Sequence, residues 1–203
     1  MSYSVLVYHE IRESGMLRAG ETSPIEVAQA YKDQLPAPLF ATLEQFAEQM
    51  AYLAENNYHT LTLSELEHYH YDNGTLPEKS ILLTFDDCYQ SIGLYAYPIL
   101  KKYGFHAVAF VVTGWLNAQQ KRFTPEHSVC MTPEELKQMT DVFEYANRLQ
   151  RRGNSVRIQQ QMQHLPEQQK TGKSHPLAME QAMNPSFHHG STLNRCRIWI
   201  VWS

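Results

Sequence analysis

At 203 residues, with 43% hydrophobic and 19% charged side chains, the chain can build one ordinary domain around a core and is too apolar for a disordered one. A net charge of -4 and a pI near 6.2 remove the electrostatic basis for a nucleic-acid partner. No apolar run reaches the about 18 residues of a membrane-spanning helix, and the N-terminus has neither a basic region nor a long apolar stretch, so a cytoplasmic location is the default expectation.

Residues 3–8 (YSVLVY) are short, apolar and β-prone, which predicts a buried strand. A loop punctuated by Gly15, Gly20, Pro24, Pro36 and Pro38 is expected next. Thr42 with Gln45 forms a capping box, and Phe46, Met50, Leu53 and Ala54 recur at helical spacing to about Asn56. Residues 60–63 predict a short strand, and Ser64 with Glu67 a second capping box opening a brief helix.

Residues 81–85 (ILLTF) are apolar throughout, as parallel strands buried on both faces tend to be, and run into Asp86-Asp87-Cys88. Ile92, Tyr95, Ala96, Ile99 and Leu100 then share a helical face, interrupted by Pro98 and closed by Gly104. Residues 107–112 predict another buried strand. Thr132 with Glu135 makes a third capping box with Pro133 at the first helical position, and residues 142–146 predict the next strand. Alternation of strand and helix gives an α/β class with a parallel sheet, open or closed into a barrel.

The composition breaks near residue 147. Residues 1–147 hold 9 Lys+Arg against 19 Asp+Glu, whereas residues 148–203 hold 8 against 2 and are rich in glutamine. Three cysteines, Cys88, Cys130 and Cys196, make neither a CxxC pair nor an even set, which points to a reducing compartment and away from cysteine-bound zinc.

Two adjacent carboxylates just past a buried parallel strand lie where α/β folds place their active sites. Asp86 and Asp87 there would repel one another unless a cation relieved them; the plain alternative is a helix cap at Tyr89. In this setting Thr84-Phe-Asp-Asp87 resembles the first motif of the polysaccharide deacetylases (the NodB-homology, or carbohydrate esterase family 4, domain). Val7-Tyr8-His9-Glu10 resembles that family's first strand. Residues 46–66, 98–112 and 132–139 resemble its following units, so the likeness covers about residues 3–146.

The resemblance implies a distorted TIM-like (β/α) barrel with only its first half encoded. It implies a metal-dependent hydrolase that removes N-acetyl, sometimes O-acetyl, groups from a polysaccharide, often an extracellular glycan. Asp86 would be the general base and Asp87 a ligand of the metal, usually zinc. Cys88 stands where the family more often has glycine. The family's second motif, His-Ser/Thr-x-x-x-His, is missing: after Tyr145-Ala-Asn-Arg148 no histidine occurs until His164.

Impaired activity follows, with a non-catalytic carbohydrate-binding or interaction remnant as the competing class and an Asp-pair hydrolase using magnesium as a third. His164, His175, His188 and His189 lack the required spacing. His9 either faces the cleft of Asp86 or is structural, and Trp115 either lines a sugar cleft or packs. Two units are therefore expected: residues 1–147, a partial deacetylase domain, and residues 148–203, an aberrant, poorly ordered tail. Translation in a shifted frame would produce that tail, a divergent or disordered tail being the alternative. A sheet cut at this point is expected to expose a parallel edge and to be unstable.

Overall fold

The computed structural model describes residues 3–16, 22–28, 34–36, 39–147 and 196–200. Strand β1 (Tyr3–Tyr8) leads into β2 (Glu10–Arg12), followed by β3 (Thr22–Glu26), β4 (Gln34–Pro36) and β5 (Phe40–Thr42). The predicted loop thus contains four short strands. They pair with distant partners, β2 with β5 and β3 with both β4 and β9 (Ser128–Val129), and so leave no local period to read.

Helix α1 (Leu43–Glu55) begins at the predicted capping box, Thr42 accepting from the Gln45 N–H and Gln45 bonding back; Phe46, Met50 and Leu53 are buried on its inner face. The next strand, β6 (His59–Thr60), is shorter than predicted, and α2 (Leu63–Tyr71) is capped by Thr62 with Glu65 rather than by Ser64 with Glu67. Two overlapping boxes fit the local sequence. A distant contact favours the earlier one: the Glu144 carboxylate accepts the Leu63 N–H at 2.7 Å.

Strand β7 (Ser80–Asp86) leads to a π-helical turn, Ile92–Ala96, that runs into α3 (Tyr97–Tyr103) with Pro98 in its first turn. Proline is tolerated there because it has no intrahelical N–H to lose. Gly104 closes the helix at φ 66°, the left-handed position that glycine fills without a Cβ clash. Then come β8 (Ala107–Val111), α4 (Pro133–Lys137), whose cap is the predicted Thr132–Glu135 box, and β10 (Phe143–Asn147).

The main sheet is parallel, in the order β10–β8–β7–β1–β11, with β6 also on β7. Strand β11 is Cys196–Ile200 and pairs in register from Tyr3↔Cys196 to Val7↔Ile200. Of residues 148–203, expected to form a poorly ordered tail, this short segment is the part described, and it adds to the outer edge of β1. Among the described residues no ladder joins β10 to β11. The glutamine-rich stretch and His164, His175, His188 and His189 lie outside the described residues. No helix among the described residues is long and apolar enough to cross a membrane.

Successive strand residues face opposite sides of a sheet. Ile81, Leu83 and Phe85 pack with Tyr8, Phe46, Met50, Leu100 and Phe143 under α1 and α3, each fully buried large side chain contributing about 1.5–3 kcal/mol. Tyr8 stacks on Phe85 at 5.1 Å, and Phe46 and Phe143 meet Phe85 edge-on. The other face carries a smaller cluster of Val5, Leu61, Tyr69 and Leu76, against which Val7 and Leu82 pack. Asp86 belongs by alternation to this second face, at the C-terminal end of β7.

Candidate active site

The geometry at the end of β7 comes from two consecutive left-handed residues. Asp87 has φ 67° and Cys88 φ 55°, so the chain reverses within one turn, which the Cys88 N–H closes on the Asp86 carbonyl at 2.9 Å. The Asp87 N–H donates to the Phe110 carbonyl on β8 at 3.1 Å. A strap at residues 130–131 holds the outer side. The Met131 N–H donates to the Cys88 carbonyl at 3.0 Å, and the Cys130 thiol donates to the Asp87 carbonyl at 3.1 Å. The αL backbone explains why a glycine would sit comfortably at position 88, where the sequence has cysteine.

Asp86 and Asp87 are both 5% exposed. His9, in the link between β1 and β2, brings its Nε2 to 3.5 Å from Asp86 Oδ2, with both side chains mostly buried. His9 therefore faces Asp86. The strand order makes this so: β1 lies beside β7, and the register Tyr8↔Phe85 puts His9 next to Asp86.

The thiols take a different part. Burial, followed by the nearby Asp87 and Asp86 carboxylates, pushes the Cys88 thiol far up, and burial with Asp87 does the same to Cys130. Both stay protonated at neutral pH, which suits Cys130 as a hydrogen-bond donor and removes both as nucleophiles.

The remaining candidates resolve into packing and surface pairs. Trp115 packs with Phe40, Tyr89 and Cys130. His59 pairs with Glu65, His68 with Asp72 and His127 with Glu26, while His70 meets the Tyr3 hydroxyl. Tyr95, expected on the inner helical face, lies against the core, as do Tyr97 and Tyr103. A groove of about 470 Å³ lies between β1 and α1, lined by residues that include Leu6, Leu53, Tyr58 and Ile81. It opens on the face of the sheet opposite Asp86.

Among the described residues no three His, Cys, Asp or Glu side chains form a group that could hold a metal ion. Catalytic zinc generally needs three protein ligands, so the described residues do not make a zinc site by themselves.

A buried polar network that leaves little trace in the sequence lies behind this turn. Glu10, Arg12, Ser23 and Ser128 are each at most 3% exposed. Its only sequence signal is Glu10, which follows His9 in the motif at the end of the first strand.

Comparison with known proteins agrees with this architecture. The family model described as polysaccharide deacetylase matches residues 73–182, across the composition break at residue 147. The chain belongs to the polysaccharide deacetylase family. It is 36% identical over 96 residues to a poly-beta-1,6-N-acetyl-D-glucosamine N-deacetylase of Staphylococcus aureus (strain MSSA476), covering 47% of this chain and 31% of that protein. It is 39% identical over 70 residues to the enzyme of the same name from Escherichia coli (strain K12), covering 34% of this chain and 10% of that protein. The chain thus spans a third or less of the length of these relatives.

Among solved structures, a Streptococcus pyogenes deacetylase in complex with acetate aligns with TM-score 0.54 at 25% identity, over 72% of this chain and 56% of that one. A de-N-acetylase from Aggregatibacter actinomycetemcomitans aligns with TM-score 0.53 at 24% identity, over 71% and 53%, and shares the fold.

Proposed function

We propose that this chain carries the aspartate half of a polysaccharide de-N-acetylase centre, with Asp86 as general base and Asp87 as a ligand for a divalent metal, zinc by family resemblance. The observation that carries it is the buried Asp86–Asp87 turn at the C-terminal end of a parallel strand, with His9 at 3.5 Å from Asp86. In the reaction, water adds to the acetamide carbonyl and gives a proton to Asp86. The carbon–nitrogen bond then breaks, the proton passes to nitrogen, acetate departs and an amine is left on the sugar. His9 orients the Asp86 carboxylate for this transfer. The substrate class is a polymer of N-acetylglucosamine, β-1,6-linked by analogy with the relatives' names.

The incomplete donor set favours a second reading. With no third donor converging on Asp87 among the described residues, hydrolysis is impaired and the chain acts as a remnant that keeps the cleft wall. Zinc titration and acetate release, measured together on the full chain with β-1,6-linked poly-N-acetylglucosamine, separate the two. An enzyme binds one zinc and releases acetate, loses hydrolysis in Asp86→Asn and loses zinc in Asp87→Asn. Neither zinc nor acetate in the unaltered chain would sink the enzyme and leave the remnant. Zinc binding that survives Asp87→Asn would remove Asp87 from its role.

A further inference from the structure

We infer that Arg12 is a positioning residue for the aspartate turn, acting through the strap formed by residues 127–131; its relevance to catalysis rests on the deacetylase reading above. Arg12 is 3% exposed and Glu10, its carboxylate partner, 1%. Nε and Nη2 of Arg12 both donate to Glu10 Oε1, at 3.1 and 2.9 Å. The same Nη2 donates to the His127 carbonyl at 3.1 Å and reaches Ser128 Oγ at 3.5 Å and Ser23 Oγ at 3.1 Å. Ser128 Oγ in turn donates to the second Glu10 oxygen. The guanidinium lies over the Phe40 ring at 5.1 Å.

Two residues further along, that strap grips the turn through Cys130 and Met131. Its far side is fixed by Asn117, whose Nδ2 donates to the Cys130 carbonyl at 2.6 Å and whose N–H donates to the Met131 carbonyl. The network also touches the other end of the turn, where the Ile11 N–H donates to Ser91 Oγ at 3.2 Å.

Energetics supports a positional role. A buried ion pair contributes little net stability, because desolvation offsets attraction, and apolar residues of the same volume often serve as well. Here Nε and Nη2 of Arg12 share Glu10 of its own strand β2, and Nη2 also reaches Ser23 of β3 and residues 127–128 of the strap. What a fork-shaped cation adds over an apolar plug is fixed geometry between those pieces. The Asp87–Cys88 backbone, left-handed at two consecutive residues, requires such outside support to persist.

The test measures backbone hydrogen exchange at Asp87 and Met131 in the full 203-residue chain for Ser128→Ala, Arg12→Lys and the control Ser80→Ala. Ser80 is also buried and its hydroxyl donates to the Pro77 carbonyl at 2.7 Å, but at the opposite end of β7. Ser128→Ala and Arg12→Lys are expected to speed exchange at Asp87 and Met131 about tenfold more than in the β1–β7 ladder, as loss of a charge-assisted hydrogen bond implies. Ser80→Ala should not.

Equal responses to Ser80→Ala, or none to Ser128→Ala, would overturn the inference. Ser128→Ala keeps the ion pair and decides the matter if Arg12→Lys does not fold. Zinc affinity supplies the functional readout, expected to fall in Ser128→Ala but not in Ser80→Ala; equal affinity in both would also overturn the role. If the unaltered chain binds no zinc and releases no acetate, the deacetylase reading fails, while the exchange pattern still decides whether Arg12 holds the turn.

Discussion

Cys88 occupies a left-handed backbone position at φ 55° with its side chain fully buried in the main core. A non-glycine residue there costs of order 1 kcal/mol, offset by what the sulfur gains in packing. Cys88→Gly should therefore leave stability within about 1 kcal/mol, since backbone relief and lost packing oppose each other. Cys88→Val, β-branched at positive φ, should lower it by about 2 kcal/mol or more. Urea unfolding of the pair checks this, and a tolerated valine would show that the turn relaxes. At this scale Asp86 and Asp87 were legible because a strand and its end are local. Arg12 was not, because an arginine in a three-residue strand looks exposed until residues 23, 127 and 128 are brought against it.

Helix starts were the most legible elements, since a capping box satisfies two backbone groups with side chains three residues apart. Thr42 and Thr132 open their helices as the sequence predicts. Thr62 does so two residues earlier than predicted, because Glu144 on β10 also receives the first helical N–H. Thr62→Ala should accordingly cost about 1 kcal/mol while Ser64→Ala changes stability by only a few tenths, measured by thermal or urea unfolding. The reverse order would restore the later start. The strands between residues 10 and 42 escaped notice for the opposite reason: their pairing is long-range, and three- to five-residue strands leave no period to detect.

Over the whole molecule, class and family were legible from the ordered units in residues 3–146. The pairing of β11 with β1 was not, because Cys196–Ile200 follows a stretch with no readable period. Deleting residues 196–203 removes five register pairs from β1 and should lower stability by about 2–4 kcal/mol, given roughly 1 kcal/mol for each hydrogen bond lost. It should also produce concentration-dependent self-association through the uncovered edge. Size-exclusion chromatography with urea unfolding reads both, and an unchanged midpoint with a monomeric profile would show that β1 does not depend on β11.

The same pairing sets an order of events as the chain is made. Strand β1 is synthesised ahead of both its partners and gains β7 after some eighty residues, yet its outer side stays unpaired with β11 until Ile200 has been synthesised. At translation rates of about 5–20 residues per second, that side waits on the order of ten seconds or more in a crowded cell. A nascent-chain binder that shields hydrophobic strands would therefore find its longest-lived target at residues 3–8.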